Sequence, residues 1–146
     1  MWLYNNTPIN TIEDIPKNAF GFIYITTHIS TGKRYLGKKS LYHSTNQKLG
    51  KKELAEQPVT RGRAKTTKLV TKESDWKTYY GSADSIKLSI KNKQHDEFTR
   101  EIIHLVPNKK LLTYYETKYQ FIYEVLESSD WLNTNILAKF YSKDFA

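Results

Sequence analysis

Three side chains stand out as able to do chemistry: Glu116, Tyr24 and Tyr35. Glu116 lies in "LLTYYETKYQFIYEVL", a stretch with helical spacing of its apolar residues. On a helical wheel it falls about 40° from Leu112, at the edge of the apolar stripe. A carboxylate there needs a metal, a cation or several donors, unless it snorkels to water. Tyr24 and Tyr35 stand eleven residues apart in "GFIYITTHISTGKRYLG", residues 21–37. Tyrosine buries a ring and keeps a hydroxyl in play, so the pair suits an active site as well as the core of a hairpin. His28, His43, His95 and His104 form no ligand pair by spacing, which argues against zinc. No nucleophile elbow, P-loop or dinucleotide fingerprint occurs, which argues against the common hydrolases and against a nucleotide cofactor.

Charge points to a partner. The 146 residues carry a net charge of +8. Residues 38–77 hold eleven Lys or Arg and four Asp or Glu, a net of +7, so the other 106 residues net only +1. Such a concentrated field attracts polyanions, of which nucleic acid is the commonest, or it merely solubilises a loop. "RGRAK", residues 61–65, reads either as a phosphate-contacting stretch or as solvated chain. The chain lacks cysteine, which excludes a disulfide framework and fits a reducing cytoplasm. No run is apolar enough to span a bilayer, and the N-terminus has no signal-peptide pattern. A cytoplasmic protein without a membrane partner is expected.

These side chains need elements to position them. Residues 1–18 read as an N-terminal extension with turn signals at "NNTP" and "EDIP", and residues 19–146 as one domain. "FGFIYITT" reads as a buried strand, "STG" as a turn and "KRYLGK" as the returning strand. If Thr27 pairs with Gly32, Tyr24 stands directly opposite Tyr35. Residues 38–73 lack periodicity and read as a long polar loop with a short helix near Glu53. "SADSIKLSIKNK" fits a strand or a helix capped by Ser82. "EFTREIIHLV" reads as a strand. Residues 110–127 predict a helix with Leu112, Tyr115, Tyr119, Ile122 and Leu126 on one face. The tail "DWLNTNILAKFY" reads as irregular chain packed back through its aromatics.

"FIY", then eleven residues from Tyr to Tyr, then "YLG", resembles the hairpin signature of the GIY-YIG nucleases. The likeness runs from about residue 20 to 136. "GSADSIKLSIKNKQHDEFTREIIHLV", the Glu116 helix and "WLNTNI" are similar to later parts of the phage homing-type members, and "SDWKTYYGS" resembles small free-standing ones. The resemblance implies an α+β domain: a three-stranded antiparallel sheet flanked by helices, with residues 38–77 as a basic insertion. It also implies hydrolysis of DNA phosphodiesters with one divalent metal, magnesium or its substitute manganese.

By the same resemblance Glu116 would bind the metal, and Tyr24 or Tyr35 would orient or deprotonate the attacking water. Gly37 would let the backbone close tightly, and Asn133, with Asn135 as fallback, would order the site. Where most members place an arginine, this chain has Thr45, so Lys77 is the expected cation and Tyr80 takes the place of the usual His or Tyr. Lys38, Lys39 and Arg63 are rivals for the charge. Lys38 and Lys39, following Tyr35 closely, would lower its pKa. Lys38, Lys39, Lys51, Lys52, Arg61, Arg63, Lys65 and Lys68 are the expected DNA-binding residues. With no room for a separate DNA-reading domain, modest sequence preference is expected, read through backbone and shape, or an address supplied by a partner protein.

Overall fold

A computed structural model describes residues 1–57, 62 and 64–146. The chain opens with β1 (Trp2–Tyr4) and β2 (Thr7–Ile9). Asn5 and Asn6 join them with φ of 50° and 63°, the left-handed pair that a two-residue hairpin turn of matching twist demands. β3 (Gly21–His28) and β4 (Arg34–Ser40) form the next hairpin. β5 (Tyr42–Lys48), α1 (Lys51–Ala55) and β6 (Thr67–Glu73) follow. α2 (Asp84–Lys91), β7 (Phe98–Val106) and α3 (Lys109–Ile122) come next, and β8 (Asn135–Ile136) and β9 (Phe140–Tyr141) close the chain.

The expected three-stranded antiparallel sheet is present as β7, β3 and β4. It is the centre of a larger sheet, ordered β2-β1-β7-β3-β4, in which only β1 and β7 run parallel. Residues 1–9 therefore contribute two strands. On one face, Ile23, Ile25, Leu36 and Val106 pack with Leu112 of α3 and with Val125, Leu126, Trp131 and Ile136 beyond it. On the other, Trp2 meets Phe22 and Tyr24 edge-on, and Phe22 meets Trp76. β3 is covered on both faces, which is why its buried run shows no polar alternation.

The hairpin register differs from the expected one by two residues. Tyr24 pairs with Gly37, and Tyr35 with Thr26. Gly32, at φ +71°, belongs to the turn and donates to the His28 carbonyl, so the loop is longer than the sequence suggested. A shift of two keeps every side chain on its face, and the two tyrosine rings still lie 6.3 Å apart, diagonally.

Residues 38–73 are not one long loop. β4 continues to Ser40, and residues 42–74 make a compact unit of their own, distinct from residues 1–41 with 75–146. In it β5 and β6 pair antiparallel from Tyr42–Glu73 to Lys48–Thr67. Only Tyr42 and Val70 of these strands are even partly buried, so no apolar alternation marked them in the sequence.

The ambiguous stretch resolves as α2, seated on the fully buried Ile86; its N-cap position falls on Ala83, which makes no side-chain cap bond, and not on the expected Ser82. α3 begins at Asn108, whose side chain accepts from the Leu111 amide at 2.9 Å. It ends five residues before the expected 127, because Glu124 turns left-handed at φ 53°. The buried face is rotated from the expected stripe toward Glu116: Ile122 is exposed, and Gln120 is buried with Leu112. The tail forms the small β8–β9 pair. Among the described residues no helix is long and apolar enough to cross a membrane.

Candidate active site

β4 is an edge strand, and its outward amides need partners. The first comes from the chain after α3: Arg34 donates to the Asp130 carbonyl at 2.9 Å, and Leu132 donates to that of Arg34 at 2.7 Å. Leu36 is next. The Asn133 side chain accepts from its amide at 3.0 Å and donates to its carbonyl at 2.8 Å. Lys38 is third, and its amide bonds the Glu116 carboxylate. Three successive positions along one edge are thus taken by backbone, by a side-chain amide and by a carboxylate.

Where this pairing changes from amide to carboxylate, a cavity of ≈ 370 Å³ opens. Tyr35, Lys38 and Ser82 line one part of it, with Thr113, Glu116 and Gln120 of α3 and Asn133 to Asn135 around the rest. The Tyr35 hydroxyl is hydrogen-bonded to Ser82 Oγ. The Lys38 ammonium donates to Thr113 Oγ1 at 2.8 Å and stands 3.9 Å from Glu116 Oε1. Glu116 is largely buried, and burial pushes its pKa above the ordinary carboxylate value despite Lys38.

Tyr24 sits behind the cavity, 1% exposed. A Cβ at Gly37 would lie 2.5 Å from the Tyr24 hydroxyl oxygen, so the glycine makes room for that phenol. Burial drives the Tyr24 pKa well above its ordinary value, helped by the neighbouring Tyr79 and Tyr35. Tyr35 is also shifted upward, by burial first, with the Ser82 bond opposing. The expected lowering by Lys38 and Lys39 is therefore absent. Lys38 faces Glu116, while Lys39 pairs with Asp75 at 2.5 Å and lies 4.2 Å from the Tyr79 ring. Alternation along β4 sends the two lysines to opposite faces.

The structure thus brings together Tyr35, Lys38, Glu116, Asn133 and Asn135 of the residues singled out from sequence. Tyr80 and Lys77 do not line the cavity. The Tyr80 ring stacks 4.0 Å from the Arg100 guanidinium, and the Lys77 ammonium lies 6.0 Å from the Trp76 ring. Tyr79, not Tyr80, is the ring beside Tyr24, at 6.0 Å. Lys51, Lys52 and Lys65 are exposed in the separate 42–74 unit, where Lys68 pairs with Glu53 at 2.7 Å. Arg61 and Arg63 lie outside the described residues.

Several participants escaped the sequence reading. Thr113 and Gln120 stand three and four residues from Glu116 on α3, a spacing that shares its face and could have revealed them. Ser82 was legible only as a candidate helix cap; nothing in the sequence pointed to its bond with Tyr35. Arg100, 3% exposed, lies between the rings of Trp2 (4.5 Å) and Tyr80 (4.0 Å) and donates to the carbonyls of Lys77 and Tyr79 at 2.9 and 2.8 Å. A charge inside the apolar strand "FTREIIHLV" was its only hint.

The donor set suits a small hard cation. Glu116 offers one carboxylate, met by the Lys38 amide and, at 3.9 Å, by its ammonium, and facing open volume with hydroxyl and amide oxygens beside it. Magnesium keeps several waters and can be held by a single protein carboxylate. Among the described residues no cluster of three or more His, Asp or Glu forms a metal cage.

Residues 2–136, all but the first residue and the last ten, match the family described as "Putative endonuclease segE, GIY-YIG domain". No curated protein and no solved structure matches the chain.

Proposed function

Because the chain belongs to the GIY-YIG endonuclease family, we propose that it hydrolyses DNA phosphodiester bonds at the Tyr35–Glu116 cavity with one divalent cation, magnesium or manganese. The observation that carries this is the convergence of Tyr35, Lys38, Glu116 and Asn133, from three separate segments, on one polar cavity. Glu116 would hold the cation. When bound, the cation stabilises the charge that builds on the phosphate and leaving oxygens.

The chain's own side chains divide the remaining work. The Tyr35 hydroxyl, held by Ser82 and shifted upward in pKa, stays protonated at neutral pH. It therefore orients the attacking water or donates to a phosphate oxygen; the raised pKa disfavours a base. Tyr24 is the ring that fixes Tyr35 from behind. The Lys38 ammonium supplies the positive charge near the scissile phosphate, in preference to Lys77. It lacks an arginine's bidentate fork, so phosphate is held as by a point charge. Asn133 and the Leu36 backbone keep the strand edge rigid beneath Glu116.

Basic residues of the 42–74 unit, Lys51, Lys52, Lys65 and Lys68 with Arg61 and Arg63, add phosphate contacts in this reading. A homing-type role and a location in the cytoplasm of a host cell belong to the same proposal and rest on the likeness of the motifs.

One observation favours a second reading. No arginine lines the cavity among the described residues, and Lys38 is already engaged by Glu116 and Thr113. A catalytically weak DNA-binding protein on the same scaffold would look like this. Plasmid nicking with magnesium, with manganese and with a chelator separates the two. Metal-dependent nicking supports the endonuclease; salt-sensitive binding without nicking supports the second reading.

A further inference from the structure

The β5–β6 ribbon poses a physical problem. Two antiparallel strands of seven residues each carry almost no buried surface. An isolated two-stranded hairpin is marginal in water, so a ribbon of this kind stands to gain from a surface to pack against. Alternation divides its side chains into two faces. One holds His43, Thr45 and Gln47 opposite Lys72, Val70 and Lys68. The other holds Glu73 and a Ser44–Thr71 hydroxyl bond of 2.8 Å. The first face carries no acid, and among the described residues no side-chain hydrogen bond ties up His43, Thr45 or Gln47.

Composition selects the occupant. Residues 42–74 hold eight Lys or Arg and three Glu, a net of +5, so the partner is a polyanion. Tyr42 is their one aromatic residue apart from His43, whereas single-strand binders offer stacked aromatic platforms. The apolar anchors that a protein partner would want are also missing from this face, where Val70 is the lone aliphatic. Duplex RNA hides its bases in a narrow major groove, but the major groove of B-form DNA, about 12 Å wide, admits a two-stranded ribbon.

We propose that the β5–β6 ribbon enters the major groove of duplex DNA with the His43–Thr45–Gln47 face toward the bases. Gln47 reads an adenine edge, Thr45 contacts its neighbour, and Lys68 and Lys72 bind flanking phosphates. Lys68 exchanges Glu53 for phosphate in doing so. This rests on the DNA-cleaving reading only in taking DNA as substrate. It adds direct base readout, limited to a few base pairs by the few side chains on one face.

The test uses the full chain carrying Glu116→Ala, which binds without cutting. Hydrogen exchange of the β5 and β6 amides is measured with a 30-base-pair duplex (about 100 Å of DNA), with single-stranded DNA, with duplex RNA and with heparin. Slowing by duplex DNA alone is the expected result. Equal slowing by any of the other three, or none with duplex DNA, overturns the proposal. Selection from a random duplex library then compares this chain with one that also carries Thr45→Ala and Gln47→Ala, two exposed positions. A preference for an A·T pair that falls about tenfold or more in that variant, while affinity for random duplex stays within about twofold, is expected. An unchanged preference overturns the proposal. Wild-type chain that protects its ribbon on duplex DNA but never nicks it would defeat the endonuclease reading and leave the ribbon intact. Nicking without ribbon protection does the reverse.

Discussion

The side-chain amide of Asn133 takes both backbone polar groups of Leu36, accepting at 3.0 Å and donating at 2.8 Å. It imitates a neighbouring strand over one residue, at the point where the edge of β4 meets the cavity. Asn133→Asp replaces the donor with an oxygen and sets it against the Leu36 carbonyl; Asn133→Ala leaves both buried groups unpaired. Either change should lower stability by about 2–4 kcal/mol, since each unpaired buried group costs about 1–3 kcal/mol. Urea denaturation measures it, and a loss below about 0.5 kcal/mol would show the pairing to be dispensable.

Gly37 is held to glycine by Tyr24. A Cβ there would meet the phenol oxygen at 2.5 Å and its bonded ring carbon at 2.7 Å. Gly37→Ala should destabilise by about 1–3 kcal/mol through overpacking. Tyr24→Phe removes the nearer contact, so the double variant should recover part of that loss in a thermodynamic cycle. Strict additivity would refute the contact as the cause.

Tyr24 and Tyr35 both have raised pKa values, Tyr24 more strongly and chiefly by burial. The unfolded chain releases these protons near pH 10, while the folded chain keeps them. The stability this confers is complete below that pH and is lost as pH rises toward the folded-state values. Urea midpoints should therefore fall as pH rises above about 10, and Tyr24→Phe should flatten the fall. A slope unaltered in that variant would exclude Tyr24 as a source.

Arg100 ties the Lys77–Tyr80 segment to β1 and β7 through two carbonyls and two aromatic faces. Arg100→Lys keeps the charge but loses the planar fork, and should cost about 2–4 kcal/mol. Trp2→Ala removes the ring over the guanidinium together with its own 2.8 Å bond to the Trp76 carbonyl, and should cost about 3–5 kcal/mol. Deleting residues 1–9 should then unfold the sheet; a truncated chain that melts like the full one would show β1 and β2 to be ornamental.

Much of this architecture was legible in the residues. "FGFIYITT" and "EFTREIIHLV" are dense in β-branched and aromatic residues; both are strands, the first almost wholly buried and the second in part. Glu116 stood out as a carboxylate at the edge of an apolar stripe, and the burial of Gln120 one turn on shows that side of the helix in use. The ribbon was invisible because both of its faces are wet, leaving no alternation to read. The hairpin register turned on whether Gly32 belonged to the turn, a local backbone choice that the side-chain pattern does not encode. Lys38 and Lys39 looked equivalent in sequence, yet strand alternation assigns one to the cavity and the other to Asp75. Arg100 and Ser82 act through partners distant in the chain, at Trp2 and Tyr35, which no local pattern reports.

Glu116 is proposed to hold the cation for DNA cleavage. The most direct test is nicking of supercoiled plasmid at low salt with magnesium, comparing wild type with Glu116→Gln, which keeps the side chain's size and removes its charge. Wild type should nick only with metal, and the variant's rate should be lower by about 100-fold or more. Equal rates for the two chains, or cleavage undiminished by a chelator, would contradict that role.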